Sequence, residues 1–118
     1  MKVRSLVIIN EAPYGSERCY NALRVAHALM KQPDTEMDIF LIADAVNAAR
    51  KGQKTPRGYY NIELMLKRII LGGGGILLCG TCMDARGITE AELIEGTRKG
   101  TMAELTGWTQ WADKVLAF

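Results

Sequence analysis

The feature that most constrains this chain is its alternation of short apolar runs with helix-patterned segments. The runs are "KVRSLVII" at 2–9, "MDIFLIA" at 37–43 and "ILLC" at 76–79, and none has a clear period of two. Runs this short, bounded by Asn, Pro, Asp and Gly, read as strands buried on both faces. Between the first two, Cys19, Ala22, Leu23, Ala26, Leu29 and Met30 recur at helical spacing, which predicts an amphipathic helix over 17–31 with Ser16 as its cap. Pro33 and Asp34 end it. After the second run, Asp44 is placed to cap a short helix running to Arg50. Ile62, Met65, Leu66, Ile69 and Ile70 mark another helix, which the glycines 72–75 stop.

Two Thr-x-x-Glu boxes follow, Thr89 with Glu92 and Thr101 with Glu104. The second opens a helix carrying Met102, Leu105, Trp108 and Ala112, and "KVLAF" closes the chain as a last strand. Strands alternating with helices predict a three-layer α/β/α domain, residues 1–118, built on a mainly parallel sheet of about five strands. The cation-bearing "KGQKTPRG" at 51–58 is expected to be a mobile exposed loop.

Composition narrows the function classes. The net charge is +2, and Lys and Arg are scattered, which gives no footprint for nucleic acid or an anionic membrane. No apolar stretch approaches the roughly 20 residues of a membrane span, and the run Leu6–Ile9 is too short for a signal peptide. A cytoplasmic protein is expected. Three cysteines without secreted context do not make a disulfide framework.

In parallel α/β sheets ligands bind beyond the carboxyl ends of the strands. Two loops lie there, "NEAPYGS" after the first strand and "CGTCMDARG" after the third. Side by side they would line one pocket, with Asn10, Tyr14 and Gly15 on one wall. Cys79 ends a strand and reads as a small buried hydrophobe. Cys82 follows Gly80 and Thr81, where a short helix can start; the free N–H groups of a helix start favour a thiolate, and Arg86 one turn on adds charge. Cys82 is therefore expected to be the reactive thiol, with a lowered pKa. Asp84 and Arg86 read either as a solvated ion pair or as support for Cys82.

A Cys-x-x-Cys spacing also suits a dithiol redox pair, but there the first cysteine heads the helix. Metal binding is not expected: Cys19 and His27 are the remaining soft ligands and lack metal-site spacing. "GGGG" precedes a strand rather than a helix, so it reads as a helix stop and not a phosphate loop. "APYGSE" opens a helix but carries Glu17, a poor anion site. Trp108 and Trp111 read as core and interface aromatics.

Together, "APYGSER", "LIADAV", "GQKTPRGYYNIELML", "CGTCMDARGI" and "ELTGWTQWADKVLAF" resemble the DsrE/DsrF-like family in its YchN-like branch, in order and spacing over nearly the whole chain. The resemblance implies a small three-layer α/β domain assembling as a ring-like homotrimer or as a hexamer of two trimers. It also implies a relation to sulfur-relay proteins, which hold a persulfide on a cysteine after a central strand, the position of Cys79 to Cys82 here. No cofactor is implied, and a sulfur donor or acceptor protein is the implied partner. The paired cysteines depart from carriers with one cysteine in this loop, which leaves open which sulfur acts. The contrasting class is a non-catalytic, homo-oligomeric binding module for a small ligand or partner, its cysteines packed in the core.

Overall fold

The computed structural model describes residues 1–118. Five strands form one sheet: β1 (Val3–Ile9), β2 (Thr35–Leu41), β3 (Gly75–Cys79), β4 (Arg98–Gly100) and β5 (Lys114–Ala117). Their order is β4-β3-β2-β1-β5, and every neighbouring pair is parallel. From β1 to β4 the chain steps one strand at a time in one direction. The helices α1 (Arg18–Met30) and α2 (Ile62–Leu71) therefore cover the same face and touch each other. The return from β4 to β5 reverses direction and carries α4 (Met102–Trp111) to the other face, where Trp108 meets Phe40 of β2 edge-on at 6.4 Å. The expected three-layer α/β arrangement is thus the observed one.

Sequence explains most elements locally. The face α1 buries is Cys19, Ala22, Leu23 and Ala26. On α2, Ile62, Leu66 and Ile69 are buried at i, i+4 and i+7, each large side chain contributing about 2 kcal/mol of apolar burial. Asn61 caps α2 by accepting the Leu64 N–H at 3.1 Å. The box at α4 is reciprocal: the Glu104 N–H donates to Thr101 Oγ1 at 3.1 Å, and the Thr101 N–H donates to the Glu104 carboxylate at 3.2 Å. The glycines after α2 end the helix and turn the chain into β3, with Gly73 at φ +94°.

Some expectations are corrected. The N-cap of α1 is Glu17, whose side chain makes no capping bond, and Ser16 Oγ meets the Arg18 N–H only at a long 3.5 Å. Asp44 lies inside the first turn of a 3-10 segment, Ala43–Ala49, rather than at its cap. The strand β4 lies in a polar stretch for which no element is expected from the sequence, and it completes the five strands. Its Gly100 pairs with Cys79, and a Cβ there would meet Leu77 Cβ at 3.1 Å.

The segment 51–58 is not loose along its length. The Gly52 and Gln53 N–H groups donate to the Glu63 carboxylate at 2.9 and 2.8 Å, and the Lys51 N–H donates to the Glu92 carbonyl. Lys67 pairs with the other Glu63 oxygen at 3.1 Å. Burial alone would raise the pKa of Glu63, but the Gln53 N–H, Lys67 and the Gly52 N–H together hold it below the usual carboxylate value.

Candidate functional site

The cysteines sit where β3 passes directly into α3 (Gly80–Ala85). Cys79 is at once the last residue of the strand and the N-cap of the helix: its Sγ accepts the Cys82 N–H at 3.4 Å. The helix thus starts one turn earlier than the sequence reading placed it. Cys82 is in its first turn, and Cys79 is the sulfur that meets the helix's free N–H. That is the position of the first cysteine in a dithiol redox pair, which the strand-ending reading of Cys79 had counted against.

Cys82 Sγ has its own donor, the Ala43 N–H at 3.3 Å. Ala43 begins the segment after β2 and stands at φ 55°, a left-handed conformation that non-glycine residues seldom adopt. Each sulfur therefore receives one backbone N–H. Cys79 retains 8% of its surface, whereas Cys82 is half-buried and is the more open of the two.

The thiol of Cys82 does not behave as its place near a helix start led us to expect. Burial pushes it up, and the neighbouring Cys79 thiol adds to the rise; the Ala43 N–H and the Arg86 charge oppose this without cancelling it. Cys19, in the core on α1, is pushed up to about 12 by burial alone, which makes it an inert thiol.

Asp84 and Arg86 do not pair with each other. Two residues apart near the end of a short helix, their side chains diverge. Arg86 reaches Asp44 at 2.7 Å and the Cys82 carbonyl at 3.1 Å, which ties α3 to the segment after β2. Asp84 accepts Lys99 Nζ from β4 at 2.8 Å. The Lys99 stem crosses Gly80 so closely that a Cβ there would lie 2.8 Å from its Cε. Thr81 is exposed in the first turn of α3.

The site is thus held between the ends of β2, β3 and β4. The sequence reading missed Ala43, Asp44 and Lys99. Asp44 had been seen only as a cap, and Lys99 lay in a segment too short and polar to read as a strand.

Asn10, Tyr14 and Gly15 are placed elsewhere, because β2 separates β1 from β3. Asn10 bonds to Phe118 through its backbone N–H and its side chain. Tyr14 accepts the Ile62 N–H at 3.1 Å and stacks on Tyr60. Gly15 turns the chain at φ +101°. No hydrogen bond joins this loop to the cysteine loop.

The DsrE/DsrF-like family profile matches residues 4–118. Protein YchN of Escherichia coli K12 is 46% identical over 114 residues, which span 96% of this chain and 97% of YchN. An uncharacterised protein of Methanopyrus kandleri is 41% identical over 112 residues, 95% of this chain and 91% of that protein. The crystal structure of the E. coli ychN protein covers 100% of both chains with a TM-score of 0.93 at 44% identity. A protein of unknown function from Methanobacterium thermoautotrophicum shares the fold, with a TM-score of 0.74 at 14% identity over 99% of this chain and 100% of that one.

Proposed function

The chain belongs to the DsrE/DsrF-like family, in its YchN-like branch, and from that premise we propose that it is a sulfur-transfer or thiol-redox protein that carries a persulfide on Cys82, with Cys79 as the resolving thiol. One observation supports this reading above the others: two cysteines at a strand-to-helix junction each receive a backbone N–H, and Cys82 is the more open. An N–H aimed at a sulfur favours its anionic form, whether thiolate or persulfide.

The chemistry balances with a sulfane-sulfur donor, R–S–SH. The Cys82 thiolate attacks the outer sulfur, the donor's S–S bond breaks, and R–S⁻ leaves with the electron pair. Cys82 then holds –S–SH, a reversible cap. An acceptor thiolate can take the outer sulfur and return Cys82 to its thiolate. Alternatively, Cys79 attacks the inner sulfur, forms a disulfide with Cys82 and expels HS⁻, after which an external dithiol must reduce the pair. Donor and acceptor are placed as partner proteins, no bound cofactor is needed, and the reduced dithiol fits a cytoplasmic location.

The functional unit is proposed as a homotrimer or a hexamer of two trimers. All of β5 is exposed, including Val115 and Leu116, and it forms an edge of the sheet. Bare apolar edges of this kind are usually covered by another chain.

The test is a mass spectrum of the protein purified without reductant and then incubated with a sulfane-sulfur donor. One added sulfur is expected on the peptide holding both cysteines. Cys82→Ser should abolish it, and Cys79→Ser should keep and prolong it. The opposite result reverses the two roles. An adduct indifferent to both substitutions, or none at all, leaves the non-catalytic binding module as the reading; the raised Cys82 thiol is the observation that favours that class.

A further inference from the structure

The distribution of unpaired charge points to a second site. Of the fifteen Lys and Arg residues, eight form ion pairs with carboxylates. Among the seven that do not, Arg24, Lys31 and Arg68 line a single cavity between α1 and α2. Lys51, Lys54 and Arg57 lie in the segment that leads into the same cavity at Tyr59, and Lys114 alone is elsewhere. His27 also lines the cavity, and the lining contains no Asp or Glu. Glu17 acts on Tyr60 from beside the cavity, but with no carboxylate in the lining the gathered cations repel one another and raise the local concentration of any anion.

The same cavity presents aromatic faces. Tyr20 and Tyr60 stack at 4.1 Å, Tyr14 extends the stack behind Tyr60, and the Arg24 guanidinium lies 5.3 Å over the Tyr20 ring. The neighbouring Tyr59 leaves 71% of its surface open. The volume, about 610 Å³, falls in the range of small-molecule sites.

We propose that this cavity binds a small planar aromatic anion of the mononucleotide class, its ring against Tyr59 and its phosphate held by Arg24, Lys31 and Arg68. Guanidinium groups suit phosphate oxygens, and a tyrosine face suits any base. A second copy meeting this face across a two-fold axis is a poor occupant, because the same cations would be set against one another. The inference does not rest on the cysteine chemistry, and its test is separate.

The intact protein is titrated by calorimetry with adenosine 5′-monophosphate, and in parallel with adenosine and with inorganic phosphate at equal ionic strength. The mononucleotide is expected to bind with Kd below about 1 mM, and each half at least about tenfold more weakly. Lys31→Gln with Arg68→Gln should weaken the mononucleotide about tenfold or more, as should Tyr59→Ser. All three residues are exposed, so these variants keep the fold. Lys114→Gln and the double variant Cys79→Ser, Cys82→Ser should bind like the unaltered chain.

Three results would overturn the proposal. One is no saturation by about 10 mM mononucleotide. Another is phosphate binding as tightly as the mononucleotide, which marks a generic anion surface. The third is a single-stranded oligonucleotide binding more tightly and depending on Lys51, Lys54 and Arg57, which marks a nucleic-acid surface.

Discussion

The Ala43 N–H donates to Cys82 Sγ across 3.3 Å from a residue held at φ 55°. A left-handed alanine costs on the order of 1–2 kcal/mol, so the surrounding structure must hold it in place. Arg86 bridging Cys82 and Asp44 is the visible restraint. Ala43→Gly keeps the N–H and removes the Cβ strain, and should leave stability equal or higher by about 1 kcal/mol. Ala43→Val should lower it by about 1–3 kcal/mol. Urea unfolding of the two variants measures both, and equal destabilisation would mean that the φ is not under strain.

Thiol reactivity against pH checks the Cys82 environment. Since burial and Cys79 raise this thiol, alkylation by iodoacetamide should have its midpoint above the value of about 8.5 for a free cysteine. Cys79→Ser should bring the midpoint down. Arg86→Gln removes an opposing charge and should move it up. A midpoint below that of a free thiol in the unaltered protein would contradict this account.

Glu63 gives a stability change at the acid end. Its folded pKa is depressed, so its contribution is fully present above its unfolded pKa of about 4.3 and is lost as pH falls through the folded value. At neutral pH, Glu63→Gln should cost about 1–3 kcal/mol, because two backbone N–H groups lose a charged acceptor. Below pH about 4 the gap between variant and parent should narrow. Thermal melts across that range decide it, and a pH-independent gap would assign the loss to packing.

Limited trypsin digestion follows from the same carboxylate. Gly52 and Gln53 are tied to Glu63, while Lys54 and Arg57 are exposed beyond the tie. The first interior cuts should fall after Lys54 or Arg57, and Glu63→Gln should add a cut after Lys51. Prior cleavage in another interior segment would show that a different part of the chain opens more readily.

Assembly is measured by light scattering behind size exclusion. Trimer or hexamer mass is expected at micromolar concentration, and Val115→Glu on the exposed edge strand should lower it. A monomer mass for the unaltered chain would remove the proposed assembly.

The sequence made legible whatever depends on neighbours along the chain. The runs that became β1, β2 and β3, the buried stripes of α1 and α2, and the box at Thr101 and Glu104 are local patterns, and they stand. What escaped depends on contacts between distant segments. β4 is three residues long, and its identity comes from pairing with Leu77–Cys79, not from its own polar residues. Arg86 and Asp84 looked like partners of each other, but their counter-charges are Asp44 and Lys99, 42 and 15 residues away. The raised Cys82 thiol has the same origin: the helix start was read correctly as electropositive, but Cys79 holds the capping position and burial outweighs what remains. Nothing in "IADAV" announces a left-handed alanine.

The pairing of β5 with β1 has a consequence for how the chain is made. One flank of β1 is met by β2 soon after β1 is made, but the other waits for β5, just before which Asp113 accepts the Arg4 N–H across 109 residues. Until β5 is in place, the sheet exposes an unpaired edge along β1. Closing such distant parallel pairs is slow, and an open edge can capture another nascent chain. β5 thus acts as the latch of the fold, and a chain that has not yet docked it holds an aggregation-prone open edge.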